Sequence, residues 1–108
     1  MTPEKIVQNS ILKRLKDEQK SNPIFFERRQ AGGFSYKKGI PDIYAVYDGH
    51  HIEIEVKRPG GKMSTMQEKF AEMCKKNHIF WMCVSSVEEF DTNMNTIINQ
   101  IKERKNLS

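Results

Sequence analysis

Asp42, Glu55 and Lys57 are the residues of this chain whose types and spacing could do chemistry. They lie in the stretch GIPDIYAVYDGHHIEIEVKRPGG, Gly39 to Gly61, which reads as two β-strands around an Asp48-Gly49 turn. If that turn is of type I′, Tyr47 faces His50, and counting back pairs Tyr44 with Glu53 and Asp42 with Glu55. Cβ atoms of directly opposed residues lie roughly 4.5 to 5.5 Å apart, so both carboxylates reach one point between them. Like charges so placed destabilise a sheet, and burial makes this worse by disfavouring the ionised forms. A positive charge belongs there. Lys57 supplies one, and two oxygen ligands at this separation suit a hard cation such as magnesium or manganese. Magnesium held this way keeps water positions that a phosphate oxygen and an attacking water can take. Lys57 follows on the same face, roughly 6.6 Å along the strand from Glu55. It is placed to hold or activate that water, or to neutralise charge developing on phosphorus. A four-residue loop would slide Asp42 opposite Lys57 on the same face, whereas a bulge would turn it away.

The elements around this stretch decide whether those charges are solvated or buried. Thr2 caps a first helix with Pro3 at its opening position, and Val7, Ile11 and Leu15 recur on one stripe through Gln19. Ile24 to Gln30 has the aromatic and branched content of a short strand, and Ala31 to Gly39 reads as a loop or ragged strand. The hairpin strands are Asp42 to Tyr47 and His50 to Arg58, and Pro59 to Lys62 is a turn. Ser64 with Gln67 is a capping-box pair opening a second helix, whose apolar face is Met66, Phe70, Met73 and Cys74 and which ends near Asn77. Ile79 to Val84 reads as a fully buried strand. Strand, helix and strand from His50 to Val84 form a βαβ unit with a right-handed crossover, which sets the last strand parallel to the hairpin's second one. The strand bearing Glu53, Glu55 and Lys57 is therefore central. Ser86 with Glu89 opens a final helix marked by Phe90, Met94, Ile97, Ile98 and Ile101.

The 108 residues predict one domain with one modest core, an α/β fold in the order helix, three strands, helix, strand, helix around a mixed four-stranded sheet. With 37% hydrophobic and 30% charged residues and a mean hydropathy of -0.70, the composition is that of a soluble globular chain. No signal-peptide pattern follows Met1, and the longest apolar run, Ile79 to Val84, is too short to span a bilayer, so a cytoplasmic protein is expected. Cys74 and Cys83 fit neither a CxxC pair nor a zinc ligand set and read as reduced core thiols. The net charge of +4 favours a polyanionic partner. Its distribution is more informative, because Arg28, Arg29, Lys37, Lys38, Arg58 and Lys62 flank the hairpin and would bind phosphates around it. Phe34 and Tyr36 could stack on bases or pack in the core. His50 and His51, beside the tight turn, read as surface residues.

Pro41-Asp42, twelve residues, then Glu55-Val56-Lys57 resembles the signature of the PD-(D/E)xK nuclease superfamily. Lys38 to Ser86 is similar more narrowly to the VRR-NUC family: Gly39 before the Pro-Asp, a Pro/Gly turn after the Glu-x-Lys, and Gln67 opening the next helix. That resemblance implies a restriction-endonuclease-like core, with Asp42 and Glu55 as metal ligands, the Val56 carbonyl as a main-chain ligand and Lys57 as the catalytic lysine. It matches Gln67 to the family's helix glutamine, although capping accounts for Gln67 equally well. It also makes Glu4 the candidate acid on the first helix, where the helix macrodipole would favour an acid in any case. The implied activity is magnesium-dependent hydrolysis of DNA phosphodiesters, with manganese as substitute, by a homodimer that cuts branched DNA in the manner of a Holliday-junction resolvase. Such a protein belongs in a bacterial or phage-infected cell. The alternatives are a restriction-like or mobile-element endonuclease, and a DNA-binding subunit without catalysis. Against the latter, a binder gains nothing from two acids facing phosphates.

Overall fold

The alternating branched and polar residues in the middle of the chain form a four-stranded mixed sheet in a computed structural model that describes residues 2–29 and 39–107. Phe34, Tyr36, Lys37 and Lys38 lie outside the described residues. The elements run α1 (Pro3–Glu18), β1 (Ile24–Arg28), β2 (Ile43–Tyr47), β3 (His50–Val56), α2 (Thr65–Lys76), β4 (Phe80–Val84) and α3 (Val87–Leu107). This is the order expected, and each strand is shorter than expected by one or two residues at an end. The sheet order is β1-β2-β3-β4, antiparallel except for the parallel β3–β4 pair, so β3 is an interior strand. Among the described residues, no helix is long and apolar enough to cross a membrane.

The hairpin register follows from its turn. Asp48 and Gly49 both take positive φ, 48° and 83°, as a type I′ turn requires. Tyr47 pairs with His50 and Tyr44 with Glu53, and the ladder ends at Ile43 with Ile54. Asp42 stands one residue outside the strand, in a bend.

One sheet face carries Ile43, Ala45, Ile52, Ile54, Val56, Met82 and Val84, packed with Ile11 and Leu15 of α1 and Phe90, Met94, Ile97 and Ile101 of α3. Each fully buried side chain of this size contributes about 1.5–3 kcal/mol, so this face dominates the stability. The other face carries the acids. Glu53 and Glu55 are only 4% and 2% exposed, because β4 flanks their strand and α2 lies over them. The inward line of α2 is accordingly Gln67, Phe70, Ala71 and Cys74. Met66 and Met73, expected on its buried face, are 46% and 38% exposed, since the helix meets a carboxylate-bearing surface there.

The chain enters this region through Gly39, which has φ of +92° and lies against the start of α2. A Cβ added there would stand 2.6 Å from the backbone carbon and oxygen of Met66. Gly39→Ala is therefore expected to destabilise the protein by about 1–3 kcal/mol, read from the midpoint of urea unfolding. An unchanged midpoint would show that the approach is not constrained.

Candidate active site

Glu55 is the centre of the site. Its Oε1 accepts a hydrogen bond from Gln67 Nε2 at 2.6 Å and lies 3.5 Å from Lys57 Nζ. Its other oxygen, Oε2, is buried and accepts nothing, as is Oδ2 of Asp42. Among the described residues these are the buried side-chain oxygens or nitrogens without a partner. Burial first, and then the neighbouring Asp42 charge, push the Glu55 carboxyl up to about 7, with Lys57 acting in the opposite direction. Asp42 is likewise raised by burial and by Glu4, while the facing Val56 N–H, with Lys57 and Arg29, favours its ionised form.

A buried and a half-buried carboxylate, each with one bare buried oxygen, fit a hard divalent cation better than they fit each other. Asp42 and Glu55 would hold it. The Val56 carbonyl leaves β3 on the same edge as the N–H that faces Asp42, which suits a main-chain ligand. Glu4, half-buried in the first turn of α1, lines a cleft with Asp42 and is felt electrostatically by both acids. Among the described residues, though, no three His, Cys, Asp or Glu side chains gather closely enough to hold an ion between them.

Gln67 caps α2, as expected, and also reaches Glu55. Its Oε1 accepts from the Ser64 N–H at 2.8 Å while its backbone N–H donates to Ser64 Oγ, which completes the capping box. The same amide's nitrogen is what reaches Glu55. A helix cap and the orientation of a site carboxylate are therefore one structure.

The open cleft beside Asp42 holds about 390 Å³ and is bounded by Thr2, Glu4, Lys5 and Gln8 of α1 and by Arg28 and Arg29. Thr2, the N-cap just before α1, accepts a hydrogen bond from the Lys5 N–H, so the positive end of the helix borders the cleft. Lys5 and Arg28 are exposed on its rim, with Arg28 Nη1 3.5 Å from Gln8 Oε1. Arg58 and Lys62 are exposed on the turn after β3. Arg29, expected to meet phosphates, turns inward. Its two terminal nitrogens donate to Glu53 at 2.6 and 2.8 Å, because a buried carboxylate needs a matched partner.

Sequence reading missed two roles here, those of Glu53 and Lys5. Glu53 belongs to the site's framework; His51 is an exposed surface residue, as expected, and its Nε2 lies 2.5 Å from Glu53 Oε2 while its ring stacks on Tyr44. Lys5 joins the cleft. Glu53 could have been found from its place on the site face of a central strand, whereas Lys5 carries no local signal. The two cysteines are free, and burial raises both thiols, Cys74 to about 11, which keeps them protonated near neutral pH.

This arrangement can bind a divalent cation, neutralise an anion beside it and admit a polyanion through a basic rim. No family model, curated protein or solved structure matches the chain, so its chemistry rests on these residues.

Proposed function

We propose that this chain is a magnesium-dependent DNA endonuclease of the VRR-NUC kind, built on a restriction-endonuclease-like core. The observation that carries the reading is the pair of bare, buried oxygens on Asp42 and Glu55, with Lys57 beside them and a basic cleft at their edge. A metal bound there supplies a polarised phosphoryl oxygen and a water that ionises near neutral pH. The protein does the rest. Lys5 and Arg28 draw the phosphate backbone to the cleft mouth. Gln67 holds Glu55 in one orientation, which leaves its second oxygen free. Lys57 offers a positive charge to the phosphoryl group as negative charge builds up on it. Manganese substitutes for magnesium on such an oxygen set.

A chain of this size offers one site, so cutting two strands calls for a two-fold symmetric homodimer, and branched DNA, four-way junctions in particular, is the substrate such a dimer matches. The test is cleavage of supercoiled plasmid, linear duplex, flap and four-way junction with magnesium or with chelator, alongside sedimentation of the protein. Magnesium-dependent nicking supports the nuclease. Protein that binds DNA but never cuts with either metal would refute it. A monomer that prefers linear duplex would remove the junction and dimer assignments alone.

A further inference from the structure

We propose that Arg29 is a positioning residue of this site, clamping the Pro41-Asp42 peptide to β3 instead of contacting the DNA backbone. The inference rests on the metal-dependent reading above. Asp42 needs such a device because the β2–β3 ladder stops at Ile43 with Ile54, so regular pairing does not hold the residue that must meet Glu55. Arg29 grips that peptide twice. Its backbone N–H donates to the Asp42 carbonyl at 2.7 Å, and its Nη1 donates to the Pro41 carbonyl at 2.8 Å. The same guanidinium forks onto both oxygens of Glu53, which sits on β3 two residues before Glu55. One planar group therefore ties the segment bearing the first carboxylate to the strand bearing the second, and a guanidinium is the side chain whose rigid fork suits that task.

Glu53 is itself immobilised. It is 4% exposed, His51 Nε2 approaches its Oε2 at 2.5 Å, and the Arg29 guanidinium lies 4.9 Å from the Tyr44 ring centre. Its charge also cancels that of Arg29, so the pair offers little net attraction to a phosphate. A phosphate-binding arginine would keep its fork toward solvent. Here the fork is spent on the chain.

The test replaces the pair with neutral residues, Arg29→Gln with Glu53→Gln, which conserves net charge and leaves no lone buried ion. Manganese affinity by calorimetry is expected to weaken about 10–100-fold, and metal-free DNA affinity to stay within about twofold. A third readout needs no metal: the Val56 amide, which faces Asp42, should exchange faster with solvent while the Ile52 amide on the same strand keeps its protection. Unchanged manganese affinity with an unchanged Val56 amide overturns the clamp. So does a loss of DNA affinity alone, which would make Arg29 a phosphate contact. If wild-type protein binds no manganese, the metal reading fails and the Val56 amide alone decides the clamp. Should the double variant not fold, Arg29→Lys, which keeps the charge and loses the fork, is judged by the same readouts.

Discussion

Replacing Lys57 with alanine is expected to slow phosphodiester cleavage by about a hundred- to thousandfold while leaving DNA affinity within about threefold. Lys57 follows the last residue of β3, and its N–H donates to the Val84 carbonyl at 2.9 Å, so β4 fixes where its side chain starts. That side chain is only 16% exposed and its Nζ lies 3.5 Å from Glu55 Oε1. On the proposed nuclease reading, a charge so withdrawn would add little to the capture of DNA and most to a phosphoryl group seated beside Glu55. Interactions made only in the transition state lower the rate without loosening the ground state. Lys57 has a second effect to separate from this one, because its charge favours the ionised forms of both Asp42 and Glu55. Its loss therefore weakens metal binding near neutral pH. Single-turnover cleavage at saturating magnesium and about pH 8.5, well above the Glu55 value of about 7, reduces that contribution. A rate restored under those conditions would mean that Lys57 works only through Glu55. Cleavage and DNA affinity falling together would make it a phosphate contact.

Much of the positioning was legible because it is local. Asp48-Gly49 dictates the turn, the turn dictates the register, and the register brings Tyr44 to Glu53 and Asp42 toward Glu55. Ser64 and Gln67 announced the start of α2 by spacing alone. The centrality of β3 needed only the handed crossover rule and the length of the connection. Burial on the acid-bearing face was harder, since Met66 and Met73 look like core residues in a helical pattern and are exposed, whereas Glu53, on the same strand face as Glu55, is buried with no motif to give it a role. A helix that covers carboxylates turns polar groups inward, and hydrophobic periodicity does not reveal this.

The contacts that escaped sequence reading join residues far apart in the chain. Arg29 and Glu53 are separated by 24 positions, and neither belongs to a spacing rule that would couple them. From composition, Arg29 is one more cation beside a hairpin. Its inward turn follows only from the depth of Glu53, which depends on α2 and β4 together. The approach of Lys5, Gln8 and Glu4 to Asp42 has the same origin, because it depends on how α1 crosses the sheet. Local chemistry thus fixed the pair of acids, and tertiary packing decided what surrounds them.

Glu55→Gln and Asp42→Asn are each expected to weaken magnesium and manganese binding beyond detection by calorimetry, and to make the metal-free protein more stable above neutral pH. The first effect follows from losing one of two carboxylate ligands. The second follows from linkage. The Glu55 carboxyl sits at about 7 in the folded chain against its ordinary 4.5, so between those values the folded state holds a proton that the unfolded state has released. Stability of the metal-free protein therefore falls as pH rises from about 4.5 and levels off above about 7, by about 3 kcal/mol in all. Removing the ionisable group abolishes that loss. In Glu55→Gln the amide oxygen can keep the bond from Gln67. In Asp42→Asn the repulsion that helps raise Glu55 disappears, and its carboxyl ionises at lower pH. Urea unfolding with chelator at about pH 5 and about pH 8 should show the variants ahead of wild type only at the higher pH. Saturating magnesium should reverse the order, because the metal stabilises only the protein that keeps both acids. The same competition makes magnesium bind wild type more weakly as pH drops below about 7, and cleavage at low magnesium should fall with it. Such a balance, in which two acids cost stability until an ion joins them, has no use in a passive DNA-binding surface. Variants that bind magnesium like wild type, or that gain nothing at pH 8, would remove the ground for placing a metal between Asp42 and Glu55.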